Sequence, residues 1–93
     1  MSKIIELKIK PEYFVAVAQG HKTAELRLND RDYQVNDIMI LREFDGEKYT
    51  GHSVCAKITH ILSNCGFGLQ DGYAMLSFKL LKKEGKKDVK KNR

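Results

Sequence analysis

The stretch 20-GHKTAELRLNDRDYQVND-37 decides how this chain folds. Gly20 closes a run with helical spacing, the usual place for a glycine just past a last helical turn. Beyond it Ala24, Leu26 and Leu28 fall on one face of a period-two segment, and Thr23, Glu25, Arg27 and Asn29 on the other, which is the pattern of a strand. The residues that follow, NDRDYQVND, are rich in turn formers. A half-buried strand normally turns its polar face to water. Three features instead place these side chains along a cleft. Lys22, Glu25, Arg27 and Arg31 are long polar types that bind phosphate or carboxylate, and arginine suits a planar bidentate contact. Glu25 and Arg27, two apart on a strand, share a face and can hold each other. The stretch also begins directly after a helix-capping glycine, where a backbone corner can wall a cleft.

Working outward, KIIELKI at residues 3–9 mixes β-branched and charged residues in partial alternation and reads as a first strand. Pro11 suits the first turn of a helix, where its missing N–H is no loss. PEYFVAVAQG then places Phe14, Val15 and Ala18 at helical spacing, with Glu12 in the first turn. Downstream, IMILREF is an apolar strand that breaks at Asp45-Gly46, a hairpin signal, and GEKYTG reads as a tight loop. HSVCAKITHIL is another strand, SNCGFGLQDG a glycine-rich loop, and YAMLSFKLL a last strand. The order is strand, helix, four strands: an α+β chain, mainly β. An open or closed antiparallel β-barrel is the economical way for it to bury one core and limit exposed edges.

A chain of 93 residues builds one core. At 42% hydrophobic and 31% charged it has the composition of a folded domain, not of a disordered or membrane chain. No apolar run approaches the ~20 residues of a membrane span, and MSKIIELKIK lacks the features of a signal peptide, so a cytoplasmic protein is expected. The formal charge of +5 is carried by KKEGKKDVKKNR at residues 82–93, and residues 1–81 balance. The expected organisation is therefore a domain at 1–81 and a basic, solvated tail at 82–93, which adds salt-sensitive attraction to any phosphate polymer.

The residues also carry a resemblance. GHKTAELR, a polar turn and VNDIMILRE are similar to the G-x-K-T-x-E-x-R…G-D-x-I/L pattern of ASCH domains in the PUA superfamily. ELKIKPEYFVAVAQGHKTAELRLNDRDYQVNDIMILREFD, with YTG and ITHIL after it, resembles the small ASCH-like family catalogued as domain of unknown function 3850, over about residues 4–80. The resemblance implies a PUA-like β-barrel with a short helix after the first strand, and a cleft beside the helix end and the second strand. Proteins with this barrel bind RNA or nucleotide-like ligands, and ASCH enzymes include an acetylcytidine amidohydrolase and a ribonuclease. Carried over by position, the motif lysine is Lys22, the threonine Thr23, and the E-x-R pair Glu25 and Arg27. Asn36 stands where the pattern has glycine, a departure that asparagine tolerates because it accepts positive φ. Glu25 stands where the amidohydrolase has its catalytic threonine.

No cofactor is expected, and SNCGFGLQDG lacks the G-K-[ST] ending of a phosphate-binding P-loop. Cys55 and Cys65 read as reduced packing residues, and with His21, His52 and His60 they give no usual zinc spacing, so no metal is expected. The aromatic residues read mostly as core; Phe67, between two glycines, is a candidate stacking platform for a base. The expected function is binding of RNA or a nucleotide-like ligand by Lys22, Thr23, Glu25, Arg27, Arg31 and Phe67. The alternatives are a small hydrolase acting on a modified nucleoside or RNA, with Lys22 and Glu25 as acid–base pair, and a module whose cleft takes a peptide carboxylate.

Overall fold

A computed structural model describes residues 2–64 and 68–81. The chain runs β1 (Ile4–Ile9), α1 (Pro11–Ala18), β2 (Ala24–Leu28), β3 (Ile38–Phe44), β4 (Tyr49–Ser63) and β5 (Tyr73–Leu80). The five strands form one sheet in the order β1-β3-β4-β5-β2. β4 is 15 residues long; its first part pairs with β3 and its second with β5, so one strand carries the sheet round a curl into a half-barrel. β1 and β2 are the two edges. Among the described residues no helix is long and apolar enough to cross a membrane.

The expectation of an antiparallel barrel needs one correction. β1 pairs with β3 in parallel, Ile4 opposite Ile38 and Ile9 opposite Glu43, because α1, β2 and the turn after it carry the chain back before β3 begins. The tight loop expected at GEKYTG is also shorter than its sequence suggests. The turn closes by Asp45 N–H donating to the Lys48 carbonyl, and Tyr49, Thr50 and Gly51 already belong to β4.

Alternation in β1 buries Ile5, Leu7 and Ile9 and exposes Ile4, Glu6 and Lys8. Met39 and Leu41 of β3, Ala56 and Ile58 of β4, and Ala74, Leu76 and Phe78 of β5 complete the concave face, which Val17 and Tyr33 cover. Each fully buried large side chain here contributes about 1.5–3 kcal/mol. The helix presents Phe14 and Val17 to this core, one turn apart; Val15 and Ala18, expected on that face, are exposed. Tyr13 and Tyr49 are likewise exposed aromatics, not core.

Two devices fix the segments around β2. Past α1, Gly20 at φ 81 allows a Schellman ending, with Gly20 N–H donating to the Val17 carbonyl and His21 N–H to that of Ala16. The Lys22 amide also reaches the Ala16 carbonyl, which sets the start of β2 against the helix end. On the far side of β2, Asp37 has no solvent exposure and accepts from the Lys3 amide, the Lys3 ammonium and the Gln34 amide. Burial alone would push its carboxyl up, but these donors outweigh it and hold Asp37 below its ordinary value. Asn36, at φ 83, makes the tight corner just before it.

Candidate functional site

β2 is turned the opposite way from an ordinary half-buried strand. Glu25 is 8% exposed, whereas Leu26 and Leu28 are 51% and 50% exposed. Pairing with β5 fixes this: Glu25 lies opposite Leu76 and Arg27 opposite Ala74, both core residues, so the polar side chains take the concave face. Ala74 is small, which leaves space for the arginine stem.

A carboxylate in that position is costly unless it is paired. Glu25 accepts from Lys22 Nζ at 2.9 Å on one oxygen and from Arg27 Nε at 3.1 Å on the other. Lys22 Nζ also donates to the Ala24 carbonyl and lies 5.9 Å from the centre of the Tyr13 ring. Arg27 extends past Glu25 and donates from Nη2 to the Lys8 carbonyl at 2.5 Å, joining the edge strands β1 and β2. The Tyr33 phenol lies close by; burial raises its pKa, and Arg27 and Arg31 only partly offset that.

Two clefts flank this strap. The first, about 320 Å³, is lined by Glu6, Lys8, Arg27, Arg31, Arg42 and Tyr49 among others. Register places Lys8 directly opposite Arg42. Glu6 is 3.4 Å from Arg42 and, among the described residues, is the cleft's one acidic side chain against four cations. The Arg42 guanidinium lies 3.9 Å over the Tyr49 ring, and Lys8 Nζ 4.4 Å over that of Phe44. Among the described residues, Arg31 has only a long 4.0 Å approach to Asp30. The second cleft, about 360 Å³, also takes Lys8 and Arg27 in its lining, but adds Tyr13, Leu26, Leu28 and Tyr73.

Of the residues expected at the site, Lys22, Glu25 and Arg27 form one network, and Arg31 joins Arg27 in the cationic cleft. Thr23 is exposed at the start of β2, and its carbonyl accepts from the Phe78 amide. Phe67, Cys65 and the basic tail lie outside the described residues. Sequence reading missed Lys8, Arg42 and Tyr49. The outward phase of Glu6 and Lys8 in β1 was available as a signal; the parallel register that sets Lys8 beside Arg42 was not.

A further polar group sits beside Arg42 in β3, where Glu43 turns to the buried face. The register between β3 and β4 shifts at Glu43, so Thr50 and His52 both reach its carboxylate, at 2.7 and 3.2 Å, around Gly51 at φ 99. His52 lies against the Phe14 ring. Cys55 is a free, half-buried thiol. Among the described residues no group of three or more His, Cys, Asp or Glu side chains could hold a metal.

Comparison with known proteins adds two findings. The family described as "Domain of unknown function (DUF3850)" matches residues 4–78. The chain is also similar to a protein of Escherichia phage P2 described as "Uncharacterized 12.9 kDa protein in GpA 3'region", 43% identical over 61 residues. That match takes in 66% of this chain and 56% of the phage protein, so only about half of the relative's length is represented.

Proposed function

This chain belongs to the DUF3850 family, and on that premise we propose that it is an RNA- or nucleotide-binding domain of the ASCH type in the PUA-like superfamily, holding phosphate in the cleft beside β2. The observation that carries the reading is the convergence of Lys8, Arg27, Arg31 and Arg42 on one cleft whose single acidic residue, among those described, is Glu6. Like charges gathered in a concavity raise the local potential and favour an anion. Arg27 is preorganised, because Glu25 and the Lys8 carbonyl fix it before any ligand arrives. In this reading Glu25 and Lys22 position rather than react, and the basic residues of 82–93 add long-range attraction.

The test is binding of short fluorescent single-stranded and hairpin RNAs by the full chain and by a version with the basic residues of 82–93 changed to serine. Retained binding by the serine version, abolished by adding Arg27→Ala and Arg42→Ala, supports the cleft. Binding that disappears with the tail charges alone overturns it.

The hydrolase reading keeps one supporting observation, the 2.9 Å contact between Lys22 and Glu25. Against it, both groups are engaged elsewhere, Lys22 with the Ala24 carbonyl and Glu25 with Arg27. Release of acetate from acetylcytidine, or RNA cleavage lost in Lys22→Ala, would turn the choice toward it.

A further inference from the structure

We infer that the second cleft, on the opposite side of the Arg27 strap, is a base-binding face, so that a nucleotide or single-stranded nucleic acid straddles the strap with its base on Tyr13, Leu28 and Tyr73 and its phosphate on Arg27, Arg31 and Arg42. The inference rests on the phosphate-cleft reading above and adds what the rest of the ligand touches. Three observations carry it. β2 turns its apolar face outward, so Leu26 and Leu28 stand 51% and 50% exposed, and Tyr13 of α1, 45% exposed, lines the same concavity with them and Tyr73. Tyr73 is the direct cross-strand partner of Leu28, which makes the two side chains neighbours on one outer face. Lys8 and Arg27 line this cleft and the cationic one alike, so the two are contiguous.

A ligand filling both clefts joins a flat apolar group to an anion within a short span. A nucleotide has that form. Its base gains stacking on a tyrosine ring and apolar contact with leucine, and its phosphate meets arginines that present planar forks. An acidic peptide could supply the charge, but the neighbouring four cations and two tyrosines suit a repeating phosphate and ring better than isolated carboxylates. The same geometry accounts for the inverted strand: Glu25 and Arg27 must face inward to build the strap, and this sends Leu26 and Leu28 outward, where a ligand covers them.

The experiment compares an intact short oligouridylate with an abasic oligonucleotide of the same phosphate count, at fixed salt, on the full chain. The intact strand is expected to bind about tenfold tighter. Tyr13→Ala and Leu28→Thr, both exposed positions that leave folding intact, should reduce that ratio to near one while abasic binding stays unchanged. Equal binding of the two strands by the unaltered protein overturns the base cleft and leaves the phosphate cleft standing; failure of both strands to bind overturns the two together. Concentration-dependent dimerisation that Leu28→Thr abolishes would also overturn it, because a second copy would then be what covers this face.

Discussion

Arg27 and Glu25 face inward from adjacent polar positions of β2, 3.1 Å apart, and the same guanidinium reaches the Lys8 carbonyl on the opposite edge of the sheet. The arginine thus does two jobs: it balances a carboxylate on the core side and it joins two strands that do not otherwise pair. Arg27→Ala should therefore lower stability by about 1–3 kcal/mol, the cost of leaving buried hydrogen-bonding groups short of a donor. Arg27→Lys should recover part of the stability, but it cannot reach both partners with a planar fork. Urea titration of the two variants gives the comparison. A loss under 0.5 kcal/mol for Arg27→Ala, within the about ±0.5 kcal/mol of an ordinary surface change, would mean the strap is incidental.

Asp37 gives a prediction in pH. Its folded-state pKa lies below its unfolded value, so its contribution is fully present above the unfolded pKa, near 3.8, and is lost as pH falls through the lower folded value. The intact protein should lose stability on acidification below about pH 4, with Asp37 contributing to the slope. Asp37→Asn should flatten that part of the profile. Lys3 is partly exposed, so the loss at neutral pH should sit toward the lower end of the about 3–5 kcal/mol seen when one partner of a buried pair is removed. Chemical denaturation of both proteins between pH 3 and 7 reads the difference.

Gly51 has φ 99 and an open space where a Cβ would stand, so any penalty for Gly51→Ala comes from the backbone alone. About 1–2 kcal/mol is expected. Thr50 and His52 depend on that conformation to reach Glu43, so hydrogen exchange at residues 50–52 should quicken in the variant more than elsewhere in β4. Unchanged exchange there would show that the bulge holds without its glycine.

Leu26→Thr and Leu28→Thr should change stability by no more than about 0.5 kcal/mol each, since both side chains are already half exposed. The same substitutions in an ordinary strand, with its apolar face on the core, would cost several times more. Thermal melts of the two variants separate the inverted orientation of β2 from the usual one.

Element order and the principal turns were legible in the sequence because they rest on local chemistry. Pro11 opens α1, Gly20 ends it, and Asn36 takes a positive φ, which asparagine accepts. Glu25 and Arg27 were legible as a pair because two residues apart on a strand share a face whatever the fold. What the sequence could not supply was direction and register. Period two in AELRL identifies two faces without saying which is buried, and here pairing with Ala74 and Leu76 selects the polar one. The partnership of Lys8 with Arg42 follows from a parallel pairing between segments more than thirty residues apart, and no local pattern encodes it. For α1, Phe14 with Val17 and Phe14 with Ala18 are both helical spacings; docking on β3 chose the first.

The measurement that bears most directly on the phosphate cleft is the salt dependence of RNA binding. With the basic residues of 82–93 changed to serine, log K should fall with log salt at a slope of about −3 if four cleft cations displace counterions from a single strand. Arg31→Ala and Arg42→Ala should each make that slope shallower by about 0.7. A slope that neither substitution alters, in a protein that still binds RNA, would place the contact elsewhere and contradict the account.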